Sequence, residues 1–508
     1  MMSNLVIFPI LLPLLGGILT LFARQGGLNL QRLTNLVFTS CLLGLSTYIV
    51  YFTLAQPQQV YLLGNWLAPY GIVLVLDMLS AVMILLTAIL ALFSLVYAIF
   101  QDTDKLGQHF HVLFQIQLFG LCGAFLTGDL FNLFVFFEVL LLASYGLLLH
   151  GGGRLRTKGG LHYVVINLVG SSLFLFAVGT LYGVVGTLNI ADLAVKISQA
   201  SPADEGIIAA AGLLLLVVFG IKSAMFPLYL WLPGAYAQTS AAVAALFAIM
   251  TKVGLYAIIR VHGTLFSDQA GALAGLHSNV VLWLGIITLL LATFGVYASR
   301  GLKEQAAFLI LASVATLLVG IGINTEQALS ATLFYLIHST LIGAAMFLLA
   351  DIIAQSRGAF EDKFRMGPAI HHAKLIGSLF IIAAIAIVGM PPLSGFMGKV
   401  LLLQSALASN ASMWIYAAIL SGSLIMIMAM ARSGSNLFYN VDTQIQVHTA
   451  AVKKRSIYWV FLLLMSSPIL VISAGPISSF TDKMSAQLSQ HQHYIDSVLT
   501  QPAFAEDN

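Results

Sequence analysis

The sequence predicts an all-α integral membrane protein of about fourteen transmembrane helices, and three observations carry that reading. Of its 508 residues 59% are apolar and only 8% charged, and the mean hydropathy is +0.97. Such a chain has too little polar surface to face water on all sides. The apolar residues fall into runs of the roughly 20 residues that a spanning helix needs. The basic residues alternate between connections, as they do when one side of the bilayer is cytoplasmic.

In order, the runs open near Leu5, Thr34, Gly71, His109, Leu130, Leu161, Gly206, Gln238, Val280, Glu304, Ala328, Lys374, Met413 and Ile457. The first has no basic stretch before it and no small-residue cleavage site after it, so it reads as a retained helix rather than a signal peptide. Cys41 and Cys122 lie inside the second and fourth runs, which predicts packed thiols rather than a disulfide or metal site. The longest polar stretches, Asp351 to His372 and Arg432 to Arg455, read as solvated connections, and the tail from Thr481 to Asn508 as a short amphipathic helix. Sixteen of the 22 Lys and Arg fall at every second connection, Arg24, Lys105, Arg154, Arg300 and Lys374 among them. Lys196, Arg260 and Lys483 fall on the other side, which with an even span number places both termini outside.

The remaining three basic residues, Lys222, Lys252 and Lys399, lie deep inside apolar runs, which also hold Glu138 and His338. A lysine near the bilayer centre costs roughly 2.5 to 3.5 kcal/mol on insertion scales, so it faces a bundle interior or an aqueous cavity and takes a partner. Glu138 lies eight residues, or roughly 12 Å, into its run, and is the expected partner of Lys222 or Lys252. Pairing favours both charges and desolvation opposes both, a balance that suits proton exchange; the alternative is a fixed ion pair that only locks helices.

Two of the lysines sit beside helix interruptions. Lys222 is followed by Pro227 and Pro233, and Lys399 is preceded by Pro391 and Pro392. Non-helical backbone is tolerated at membrane depth only where protein or a water-filled cavity covers it. Interruptions in the seventh and twelfth runs, five apart, point to inverted repeats. The expected organisation is 1–108 for helices 1–3, 109–262 and 263–440 for two inverted five-helix repeats with broken helices 7 and 12, and 441–508 for helix 14 and the tail. Asp77 and Asp129 stand at helix starts and read as caps. His109 with His111, His371 with His372, and His491 with His493 lack a supporting ligand set, so no metal site is expected. No phosphate-cradling glycine loop or haem pattern occurs, which predicts neither ATP hydrolysis nor a bound cofactor. No basic patch interleaved with aromatics supports nucleic-acid binding.

Four motifs resemble one family: Gly128-Asp129 through Glu138, Lys222 through Pro233, Leu246 through Lys252 to Tyr256, and Pro391 through Lys399. They are similar to the antiporter-like subunits shared by Mrp-type multisubunit cation/proton antiporters and respiratory NADH:quinone oxidoreductase. Tyr229 and Tyr236 stand where respiratory relatives carry histidine, which, like the chain length, resembles the D-type subunit of the Mrp antiporter. The start of the tenth run, Leu302-Lys303-Glu304-Gln305, departs from the Leu-Lys-Arg of many relatives.

The resemblance implies a proton-translocating secondary-transporter subunit in a bacterial inner membrane, not an enzyme, with other Mrp subunits, the lipid bilayer, protons and Na⁺, or Li⁺ or K⁺, as partners. It implies an ion pair between Glu138 and Lys222, and a relay on through Lys252 and His338 to Lys399. Alternatives are a proton-pumping subunit of a redox-driven complex and a scaffold subunit whose charges only fix packing.

Overall fold

The computed structural model of the chain describes residues 3–56, 58–442 and 453–500. Ten residues of the predicted polar stretch before Arg455, 443–452, and the end of the predicted tail, 501–508, lie outside the described residues.

Helices dominate because a backbone in hydrocarbon must satisfy its own hydrogen bonds. The first two, α1 (Phe8–Ala23) and α2 (Leu28–Ala55), lead into a feature not predicted, a two-stranded antiparallel hairpin of β1 (Gln58–Leu62) and β2 (Val73–Asp77) in which Val60 faces Val75. The third run was expected to open near Gly71; its helix α3 (Met78–Phe100) instead starts after the strand, where Asp77 caps it by accepting from Ser80 N. Then follow α4 (Phe110–Leu126), α5 (Leu130–Leu149), α6 (Arg154–Val185), the short α7 (Ile190–Ser198) and α8 (Pro202–Ser223). Asp129 caps α5 through Asn132 N, as its position at a helix start suggested.

The next stretch is irregular. After α9 (Trp231–Gln238), the chain passes through α10 (Ala241–Leu246), a 3₁₀ turn, α11 (Met250–Ala257), a π turn over Ile258–His262 and α12 (Gly263–Leu265). Regular helices resume with α13 (Ser278–Ala298), α14 (Leu302–Ile323) and α15 (Glu326–Arg357). They continue with α16 (Ala373–Val388), α17 (Ser394–Ala406) and α18 (Ser412–Phe438), and end with α19 (Lys454–Leu464), α20 (Ser466–Ile472), α21 (Ala474–Ser489) and α22 (His491–Leu499). The predicted solvated stretch from Asp351 is a partial miss: α15 runs on to Arg357, whose guanidinium is buried and donates to the carbonyls of Lys363 and Arg365.

Among the described residues, twelve helical segments are long and apolar enough to cross a membrane, and two shorter apolar helices are Phe110–Leu126 and Ala373–Val388. The most apolar stretch of Ala241–Leu265 is wholly buried and those of α14 and α15 nearly so, whereas about two-thirds of that stretch in α2, α6 and α18 is not buried. Leu33, Phe176 and Leu424 lie on that outer surface, an apolar belt fit for lipid. Both cysteines are free, Cys41 at the surface and Cys122 buried.

Candidate functional site

Glu138 and Lys222 come together, but not as the expected ion pair. Among the described residues no acid–base contact joins Glu138 to any lysine. Helix α6 holds both instead, with two polar residues one turn apart. Ser171 Oγ lies in hydrogen-bond contact with Glu138 Oε1 and 3.1 Å from Asn167 O; its single proton serves one acceptor at a time. Lys222 Nζ donates to Asn167 Oδ1 at 3.1 Å, and Asn167 Nδ2 donates to Tyr163 O at 2.8 Å. Lys222 stands in the last turn of α8, where cations suit the exposed carbonyls. The chain then leaves the helix through Ala224 at φ +56°, and Pro227 lies between α8 and α9.

Lys252, on α11, is fully buried, and its Nζ has no hydrogen-bond partner among the described residues. Gly254 brings its helix against α8 at the first lysine: a Cβ there would lie 2.6 Å from Ser223 N and 2.7 Å from Phe219 O. A cavity of about 10 Å³ is lined by Asn167, Lys222, Met250 and Val253, room for roughly one water between the two helices.

The second constellation lies around α17. His338, buried on α15, has Nδ1 2.7 Å from Ser394 Oγ, which is 2.8 Å from Ser467 Oγ. Lys399 Nζ donates to Val388 O at 2.7 Å and to Ser423 Oγ at 2.8 Å. Val388 ends α16, and Pro391 and Pro392 lie in the gap before α17. The gap thus frees a helix-terminal carbonyl, and the lysine takes it.

Several partners escaped the sequence reading. Asn167 and Ser171 are neutral, and the signal that could have found them is their i, i+4 spacing in an apolar run. Arg260, expected in an outer loop, is buried in the π turn and forms an ion pair with Asp77, its guanidinium 5.4 Å from the Tyr494 ring. Lys303 pairs with Asp351 at 2.9 Å, and Tyr97 Oη donates to the same carboxylate at 3.0 Å. Among the described residues no cluster of three or more His, Cys, Asp or Glu is placed to hold a metal.

Fold and side chains together define a polytopic helical membrane protein that keeps cationic groups inside its core beside helix ends. The chain belongs to the NADH:quinone oxidoreductase/Mrp antiporter transmembrane family, which matches residues 127–427. It is 40% identical over 451 residues to the D subunit of a probable K⁺/H⁺ antiporter of Rhizobium meliloti, covering 82% of this chain and 84% of that one. It is 39% identical over 417 residues to the D subunit of the Na⁺/H⁺ antiporter of Bacillus subtilis, covering 80% and 82%. A chain of a solved Mrp complex from Dietzia sp. superposes with a TM-score of 0.84 at 25% identity, covering 98% of this chain and 99% of that one.

Proposed function

We propose that this chain is the proton-translocating subunit of a multisubunit monovalent cation/proton antiporter. The observation that carries the proposal is that, among the described residues, the buried Lys222 and Lys399 ammoniums donate hydrogen bonds only to neutral oxygens, while Lys252 Nζ has no hydrogen-bond partner. An ammonium so held can release a proton without leaving a carboxylate stranded in the interior. Protons pass among Glu138, Lys222, Lys252, His338 and Lys399, with water filling the gaps. The names of the relatives, Na⁺/H⁺ and K⁺/H⁺ antiporter subunits, support exchange against Na⁺, with K⁺ or Li⁺ as alternatives, and assembly with other Mrp subunits.

In the bilayer, the two shorter apolar helices join the twelve longer segments to make fourteen spans in an inner membrane, with both termini periplasmic. Residues 109–262 and 263–440 are the inverted repeats, and the gaps holding Pro227 and Pro391–Pro392 are the breaks in spans 7 and 12. Residues 1–108 and 441–508 flank them.

The test uses inverted vesicles from antiporter-deficient cells expressing this chain with its partner subunits. Adding Na⁺, K⁺ or Li⁺ should dissipate a preset proton gradient, and Glu138→Gln should abolish the signal while the complex still assembles. Full exchange by Glu138→Gln would refute the relay.

A further inference from the structure

Beyond the lysines, the structure holds a polar cavity that the relay above does not use. It encloses about 300 Å³ at the end of the Lys252 segment, with Ser267, Asp268, His277, Asn324, Glu326 and His491 in its lining. That volume accommodates roughly ten waters. Among the described residues no lysine or arginine lines it, so its carboxylates favour cations and protons.

The inner wall is the informative part. His277 is 3% exposed, and its Nδ1 has no hydrogen-bond partner among the described residues. Behind it, at 5.5 Å between ring centres, stands His262, 1% exposed and also with an unpartnered Nδ1. His262 Nε2 is 2.9 Å from Gly212 O. A carbonyl only accepts, so Nε2 carries the hydrogen and Nδ1 of the neutral ring is a bare lone pair. Buried polar atoms are nearly always satisfied, and two adjacent imidazoles with open nitrogens behind a polar cavity are suited to taking up protons. His262 lies ten residues beyond Lys252 on the same segment. Phe219, three residues before Lys222 on α8, packs against His262 at 5.6 Å between ring centres.

Resting on the proton-relay reading, we propose that this cavity is an aqueous mouth of the transport path, and that His277 and His262 pass protons between it and the buried lysines. Each transfer makes one N–H bond and breaks another. Carboxylates enter from the 268 loop and the start of α15, and imidazoles from α22 and from the approach to α13.

The experiment places Ser267→Cys, a near-isosteric change, in the intact complex and applies a membrane-impermeant cationic methanethiosulfonate from each side in turn. Labelling from one side only, with exchange slowed at least ~5-fold relative to the equally treated parent, is expected; His277→Gln should slow exchange without reagent. Absence of labelling, or labelling with unchanged exchange, overturns the proposal. If the parent shows cation-dependent exchange that Glu138→Gln abolishes, the relay stands and the Ser267→Cys result judges the mouth alone. If the parent shows no exchange, the relay falls, and one-sided labelling still supports an aqueous cavity while its absence overturns it.

Discussion

Lys222 and Lys399 meet the same difficulty with different neutral oxygens, an amide in one case and a helix-terminal carbonyl with a hydroxyl in the other. The difference predicts unequal sensitivity. Asn167→Ala removes the one hydrogen-bond acceptor that the Lys222 ammonium has among the described residues, leaving a buried charge short of a partner at a cost of about 1 to 3 kcal/mol. Exchange in vesicles should therefore fall roughly 5- to 150-fold, since ~1.4 kcal/mol is tenfold. Ser423→Ala leaves Lys399 its Val388 carbonyl and should cost a few-fold at most. Equal losses for the two variants would show that the neutral partners do not set the behaviour of the lysines. Lys252 was legible from sequence for the same reason as the other two: a cation in an apolar run is expensive wherever it points. The acceptors were not, because a neutral Asn or Ser in a helix carries little cost and so little signal.

At the scale of elements, the contact of α8 with α11 joins two lysine-bearing helices through backbone rather than side chains. Gly254→Ala would drive a methyl into Ser223 N and Phe219 O, atoms that cannot rotate away, and overpacking of this kind costs about 1 to 3 kcal/mol. Gly206→Ala, at a site with no atom within 4 Å of the added Cβ, should be neutral or mildly stabilising. Thermal denaturation of the purified complex, read beside vesicle exchange, should show loss of both stability and exchange for the first variant and of neither for the second. The gaps before α9 and α17 hold Pro227 and Pro391–Pro392, residues that the sequence reading singled out because proline removes a donor and clashes with the preceding turn. The irregular winding of Ala241–Leu265 was not, since its residues form an ordinary apolar run. Nor was the β1–β2 hairpin, whose strand Val73–Asp77 reads as the start of a span when only hydropathy is counted.

Over the whole molecule, charged pairs clamp the periphery to the centre at a connection outside the apolar segments. Between α3 and α4, Asp104 accepts from Arg32 Nε of α2 at 2.6 Å, and His111 Nε2 of α4 lies 3.0 Å away. Asn35 Nδ2, 2.9 Å from His111 Nδ1, donates to that nitrogen, leaving Nε2–H for the carboxylate. Nearby, Asp102 takes Lys105, Arg32 and Lys453, the last just before α19. Burial pushes the Asp104 carboxyl up, but His111 and Arg32 together hold it below its ordinary value. Asp102 is held well below by its hydrogen bonds from Lys105, then Arg32 and Lys453. A carboxyl with a lowered folded-state pKa contributes stability that is complete above its unfolded value, near ~4, and is lost as pH falls through the folded value. The apparent Tm of the purified complex should then hold level from about pH 7 to 5 and fall below about pH 4. Asp104→Asn should lower Tm at pH 7, because Arg32 loses its buried counter-charge, and should flatten the acid-side fall. An unchanged acid limb in that variant would place the acid sensitivity elsewhere, with the clamp contributing through packing alone.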